Sequence, residues 1–307
     1  MLELLGNTSI DFMGWRRYSF VLSSVFAILG LVALVQISRG EANLGVDFAG
    51  GTAVQLKFEQ PVAIEPVRTA LQKHGLAHVE LQGSLTDNKL MIRLKAATSM
   101  EEKIADRVVM AIQQEFAHNR FVVESTSEIG PSIGRKLQED ALLAIIISLA
   151  GIVAYIALRF DVRFGVAAGL ATVHDVLAVL GIFYVLDKEM TLLVVTALLT
   201  LAGYSLTDTV VVFDRIRERL RRRREETFDE VINMAINEVL SRTIVVSSTV
   251  ILVLIPLTVA GGEVLHDFSL GLLLGVVIGT YSSIFVASPL LVLWPAARSS
   301  IPARRSN

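Results

Sequence analysis

The chain of 307 residues reads as a polytopic α-helical membrane protein, with six transmembrane helices and an α+β domain inserted between the first and second. Two observations predict this. The hydrophobic share is 53% with glycine left out, and the mean hydropathy is +0.59; soluble domains reach about 45–50% only with glycine counted. Continuous apolar runs occupy residues 20–37, 141–158, 164–186, 190–213, 243–260 and 268–294, each near the roughly 20 residues that cross hydrocarbon as a helix.

The first run follows Arg16 and Arg17. It is too long for a signal peptide and lacks a small-residue cleavage site, so it is expected to stay as an anchor spanning 20–38. Arg16 and Arg17, Arg159 and Arg163, the run from Arg215 to Arg224, and Arg298, Arg304 and Arg305 all fall on one side of six crossings. The opposite short loops at 187–189 and 261–267 carry almost no basic residues. Positive charge marks the cytoplasmic side. The expected arrangement is a cytoplasmic segment 1–19, an exported segment 39–138, a five-helix bundle 139–297 with a cytoplasmic loop 214–240, and a cytoplasmic tail 298–307.

Within 39–138, GTAVQLKFE reads as a strand, IEPVRTALQKHG as a helix closed by Gly75, HVELQGS and KLMIRLKA as strands, SMEEKIADRVVMAIQQEF as a helix and RFVVESTSEI as a last strand. Ser99 and Glu102 have capping-box spacing at the start of the second helix. The order β-α-β-β-α-β predicts a ferredoxin-like unit. It contains no glycine-rich phosphate loop and no catalytic triad spacing, so a contact domain is expected rather than an enzyme.

Zero cysteines exclude disulfides, a thiol nucleophile and Cys-ligated metal, and the five histidines lack metal-ligand spacing. No metal, organic cofactor or nucleic-acid partner is expected.

The chemistry concentrates in YSLTDTVVVF, where Asp208 sits inside an apolar run. An aspartate at the bilayer centre costs about 2.5–3.5 kcal/mol on insertion scales, and ionisable residues there are functional by default. Thr196, Thr200, Tyr204 and Asp208 recur every four residues and share a helix face, with Thr207 beside them. This seam is either a packing device of hydroxyls or the lining of a protonatable site. In the preceding run, Asp175 offers a relay partner for Asp208 or a structural hydrogen bond. His174, pointing about 100 degrees away, reads as structural. Arg242 at the mouth of the fifth run is a candidate counter-charge for Asp208, or an arginine snorkelling to the surface.

FDRIRERLRRRREE reads as an orienting basic flank or a docking site for anionic lipid or an anionic partner. FDEVINMAINEVLSR reads as an amphipathic helix along the membrane surface. Gly271, Gly275, Gly279, Ser283 and Ala287 form a face of small residues for close helix packing.

The motifs GVDFAGGT, EIGPSIG, HDV, GYSLTDTVVVFDRIRE, SRT and GTYSSIFVASPL together resemble the SecF branch of the SecD/SecF protein-export family, related to the RND transporters. The resemblance implies an RND-type half bundle in the bacterial inner membrane that pairs with SecD, often with the small protein YajC. It implies an auxiliary role beside the SecYEG translocon, acting on unfolded exported polypeptide and driven by H⁺, or Na⁺ in some relatives. It assigns proton coupling to Asp208 and Arg242, and places Asp47, Gly50, Gly51, Asp214 and Arg215 in family motifs. Ala49, often Thr, and Thr207, often Asn, depart from the pattern. A small-molecule efflux half-transporter and an uncoupled scaffold are the rival readings.

Overall fold

The computed structural model describes residues 8–76, 79–84, 88–95, 104–222 and 225–293. In chain order the elements are α1 (Arg16–Arg39), α2 (Val46–Ala49), β1 (Gly51–Phe58), α3 (Ile64–Lys73), β2 (Val79–Ser84), β3 (Lys89–Lys95), α4 (Ile104–Glu115), β4 (Phe121–Ile129), α5 (Pro131–Arg159), α6 (Val162–Val185), α7 (Leu192–Arg222), α8 (Phe228–Ala260) and α9 (Gly262–Ser282). A π-helical turn, Ser283–Ala287, leads from α9 into α10 (Ser288–Val292). The Ser99–Glu102 capping box and the tail arginines lie outside the described residues. Two compact units form, Met1–Asn43 with Leu143–Asn307, and Leu44–Leu142.

The first unit holds helices long and apolar enough to cross a membrane at all six expected positions. The extents of the helices differ from the sequence reading in one region. The connection 214–240 is helical on both sides of a short break, the expected helix at 228 being joined by an unexpected extension of α7 to Arg222. The amphipathic stretch 228–242 is helical, as its pattern predicts, and continues without a break into the fifth apolar run as the single helix α8. The cause is local. Thr227 and Glu230 make a reciprocal capping box, and no glycine or proline interrupts α8 before Pro256. In α7, Glu218 pairs with Arg215 and Arg222 one turn away on either side, which supports the polar end of the helix.

Close helix packing relies on glycine. The small-residue face of α9 lies on α7 of the same chain: a Cβ at Gly271 would sit 3.3 Å from the Ala197 Cβ, at Gly275 2.6 Å from a Leu201 methyl, and at Gly279 3.0 Å from the Ser205 Cβ. These partners are themselves four residues apart, so one row of small residues receives one row of side chains. The chain ahead of α1 is also fastened down. The Asn237 side chain accepts from the Ile10 amide and donates to the Ile10 carbonyl, Asn233 does the same for the Met13 amide and the Asp11 carboxylate, and Arg16 pairs with Asp229 at 2.5 Å. Phe12 and Met13 are thereby buried with Phe164, Phe213, Ile216 and Ile236.

The second unit is a four-stranded sheet of order β2-β3-β1-β4, antiparallel throughout. Val54, Leu56 and Phe58 of β1 alternate onto one face and pack with Leu90, Ile92 and Leu94 of β3 against Val67 and Leu71 of α3 and Val108 and Ile112 of α4. The one-turn helix α2 was not anticipated. It delivers the chain to Gly50 and Gly51, at φ 71 and 138, a conformation that favours glycine. The Gly50 α-carbon faces the start of α5: an added Cβ would lie 2.9 Å from the Pro131 Cα, while one on Gly134 would lie 2.7 Å from the Phe48 carbonyl oxygen. Gln138 donates to that same oxygen at 3.1 Å. GVDFAGGT and EIGPSIG, far apart in sequence, are two halves of one close-packed corner.

Candidate functional site

Asp208 lies in α7 and is 7% exposed. Its Oδ2 is 3.5 Å from the Thr280 hydroxyl of α9. That hydroxyl has one proton and a nearer acceptor, the Val276 carbonyl at 2.8 Å, while Ser247 of α8 lies 2.6 Å from it. A donor shared with a closer acceptor makes a weak bond, and the Ser247 hydroxyl also approaches the carboxylate. One turn back on the same face, the buried Tyr204 hydroxyl approaches Ser247 without meeting hydrogen-bond geometry, and the Thr243 hydroxyl one turn before Ser247 is buried without a hydrogen-bond partner. Asp208 therefore faces a cluster of neutral hydroxyls from α7, α8 and α9.

Arg242 is exposed on α8 and makes no ion pair with Asp208 among the described residues; the two interact through space only. The structure does not bring the expected pair into contact. The remainder of the seam also separates from the site. Thr196, Thr200 and Thr207 are exposed, and their hydroxyls donate to the carbonyls of Leu192, Thr196 and Gly203 one turn back, satisfying themselves within the helix.

A second constellation surrounds Asp175, which is fully buried in α6. Its Oδ1 is 2.9 Å from Nδ1 of His174 and its Oδ2 accepts from the Ser205 hydroxyl of α7 at 2.5 Å. The neighbouring His174 ring thus folds toward the carboxylate, against the expectation that the two residues face different surroundings. Ser282 of α9 approaches Asp175 without meeting hydrogen-bond geometry. Asp175 and Asp208 are not bonded to each other. They flank one seam: α7 supplies Ser205 and Asp208 three residues apart, and α9 supplies Ser282 and Thr280 two residues apart, with Gly279 permitting the close approach. Sequence reasoning missed Ser205, Ser247, Thr280 and Ser282. The available signal was their adjacency to the glycine face and to Asp208.

Of the motif residues, Asp214 is exposed, whereas Arg215 pairs with Glu218 at 2.5 Å and with Glu238 of α8, which also holds Arg219. Asp47, Gly50 and Gly51 belong to the glycine corner of the other unit. The family model described as the C-terminal part of the protein export membrane proteins SecD/SecF matches residues 108–297, and the SecD/SecF GG motif matches residues 42–62. The chain belongs to the SecD/SecF protein-export family. It is 50% identical to the protein translocase subunit SecF of Thermodesulfovibrio yellowstonii, over 95% of this chain and 97% of that one. It is 38% identical to that of Vibrio alginolyticus, over 94% and 91%. The crystal structure of SecDF from Thermus thermophilus superposes with a TM-score of 0.82 at 34% identity. That match covers 96% of this chain and 40% of the larger SecDF chain. A SecDF structure in a super-membrane-facing form gives 0.68 at the same identity and coverage. The SecD/SecF GG motif is the Gly50–Gly51 corner described above, and the family's C-terminal region contains both buried aspartates.

Proposed function

We propose that this chain is an auxiliary subunit of the Sec export machinery that, together with SecD, uses the proton-motive force to promote late steps of polypeptide translocation. The observation that carries the reading is Asp208: a carboxylate buried inside a membrane span and faced by the neutral Thr280 and Ser247 hydroxyls, with no ion-pair partner among the described residues. One charge crossing 100 mV is worth about 2.3 kcal/mol, which does work only when it biases an element with two arrangements. We assign that role to the π-turn Ser283–Ala287 directly after the Thr280–Ser282 segment, because π-turns in helices are frequent at functional sites. The TM-scores of 0.82 and 0.68 for two SecDF structures support more than one arrangement in the family. Pairing of Arg242 with Asp208 then belongs to a second arrangement in the cycle.

In this reading the protein lies in the bacterial inner membrane with both termini and the Arg215 end cytoplasmic. The β-α-β-β-α-β unit is an exported ferredoxin-like domain that contacts unfolded polypeptide. SecYEG and YajC complete the assembly, exposed helix faces meet lipid, and Na⁺ is the alternative coupling ion. The test is export of a preprotein into inverted vesicles holding SecD with either this chain or its Asp208→Asn variant, with and without a gradient. The expected outcome is gradient-dependent export that the variant loses. Full export by an assembled variant rejects the reading, gradient-independent export points to a scaffold, and movement of a small solute in place of polypeptide points to efflux.

A further inference from the structure

We infer that His174 is a second proton-binding position in the bundle, taking a proton at Nε2 while Asp175 supplies the balancing charge. This rests on the reading of Asp208 as a proton carrier and adds the next station. Among the described residues, His174 is the one basic side chain that is buried, at 7% exposure. Its Nδ1 is engaged by Asp175 at 2.9 Å, and the other oxygen of Asp175 is engaged by Ser205. Its Nε2 is buried with no hydrogen-bond partner. With Asp175 ionised, Nδ1 donates to it and Nε2 is left with the lone pair. The result is an oriented base inside the bundle with one free nitrogen.

The chemistry of that atom follows from its neighbour. A lone histidine in an apolar span resists charging because an isolated buried cation is costly. Beside Asp175 the loaded ring is an imidazolium next to a carboxylate, and the pair is neutral overall. Loading adds one proton at Nε2 and unloading removes it; no other bond changes. The groups that face the pair do not replace it. α7 brings Ser205, with Tyr204 beside it and Asp208 three residues on. α9 brings Ser282, with Thr280 and Tyr281 adjacent, and α1 buries only Ser19, Ser23, Gly30 and Ala33. Asp208 is the other buried acid among these, and it shares the α7–α9 seam.

The test uses the full chain assembled with SecD in lipid vesicles, with ¹⁵N-labelled histidine followed by solid-state NMR and proton uptake followed by an internal pH dye. The residue-174 signal, assigned by its loss in His174→Gln, is expected to include a charged-ring population when a proton gradient is imposed, in the native protein and in Asp208→Asn alike. Proton uptake by His174→Gln is expected to fall roughly tenfold or more, the lower range for a positioned proton-transfer group. Ser205→Ala, which keeps the imidazole, is expected to change that charged-ring population and supplies the assignment should His174→Gln not assemble. A residue-174 ring that stays neutral throughout, or full uptake by an assembled His174→Gln, overturns the proposal even where Asp208→Asn abolishes uptake. Undiminished uptake in Asp208→Asn overturns the carrier reading instead.

Discussion

Gly30 of α1 and Gly181 of α6 meet backbone against backbone: a Cβ built on Gly181 would stand 2.7 Å from the Gly30 amide nitrogen, and one on Gly30 2.2 Å from the Leu177 carbonyl oxygen. Neither neighbour is a flexible side chain, so the helices must separate to admit a methyl group. Gly181→Ala is expected to destabilise the bundle by about 1–3 kcal/mol, the usual range for overpacking. Gly203→Ala, with nothing within 4 Å, should instead gain up to about 1 kcal/mol from helix propensity. Thermal unfolding in detergent separates the two, and equal behaviour would contradict the crossing.

The GG corner gives a second contrast. Gly50 and Gly75 both have a positive φ, 71 and 76, but an added Cβ meets Pro131 at 2.9 Å in the first and only the tip of Arg107 at 4.0 Å in the second. Alanine at a positive φ costs about 1–2 kcal/mol in the left-handed form, and at Gly50, where ψ is 153, the backbone lies in a region that is essentially glycine's alone. Gly50→Ala is expected to cost more, and to raise hydrogen exchange at the start of α5, whereas Gly75→Ala should leave α5 unchanged. Equal losses would mean that the corner is not a packing contact.

Much of this was readable in the sequence because the signals are local. Long apolar runs give the spans, and alternation at Val54, Leu56 and Phe58 gives β1 and its buried face. What was unreadable depends on which surfaces meet. The polar halves of α7 and α8 look like a loop by hydropathy, and only side-chain pairs such as Glu218 with Arg222 and the Thr227–Glu230 cap show why they stay helical. Asn233 and Asn237 carry no local sign that their amides will hold residues more than two hundred positions earlier. At the site, Asp208 announces itself by its charge in an apolar run, whereas Ser205 and Thr280 acquire meaning only once α9 is laid on α7.

The clamp on the chain ahead of α1 is expected to respond to acid. The Gly14 amide first, and then the Asn233 side chain, hold the Asp11 carboxyl below its ordinary value of 3.8. A carboxyl lowered by folding stabilises the folded form above the unfolded value, and the contribution is lost as pH falls through the folded value. Hydrogen exchange at the Gly14 and Met13 amides should therefore be slow at neutral pH and rise only below the usual aspartate range. Asp11→Asn should exchange faster at neutral pH and show no further rise in acid; a native pH profile in that variant would assign the protection elsewhere.

Arg242 provides the sharpest discrimination at the site. Were its guanidinium the buried counter-charge of Asp208 in this arrangement, removing it would strand a carboxylate and cost about 3–5 kcal/mol. The structure shows an exposed arginine with no contact to that acid, so Arg242→Ala is expected to change stability by no more than about 0.5 kcal/mol, as for ordinary surface substitutions. Thr280→Val, which removes the hydroxyl facing Asp208 and bonded to Ser247, is expected to cost about 1–3 kcal/mol because buried polar groups lose a partner. Unfolding of both variants at neutral pH checks the order. If Arg242→Ala proves the more damaging, the ion pair exists in the resting protein and the hydroxyl cluster is secondary. If it leaves stability intact yet lowers proton uptake, Arg242 acts only after the helices have moved.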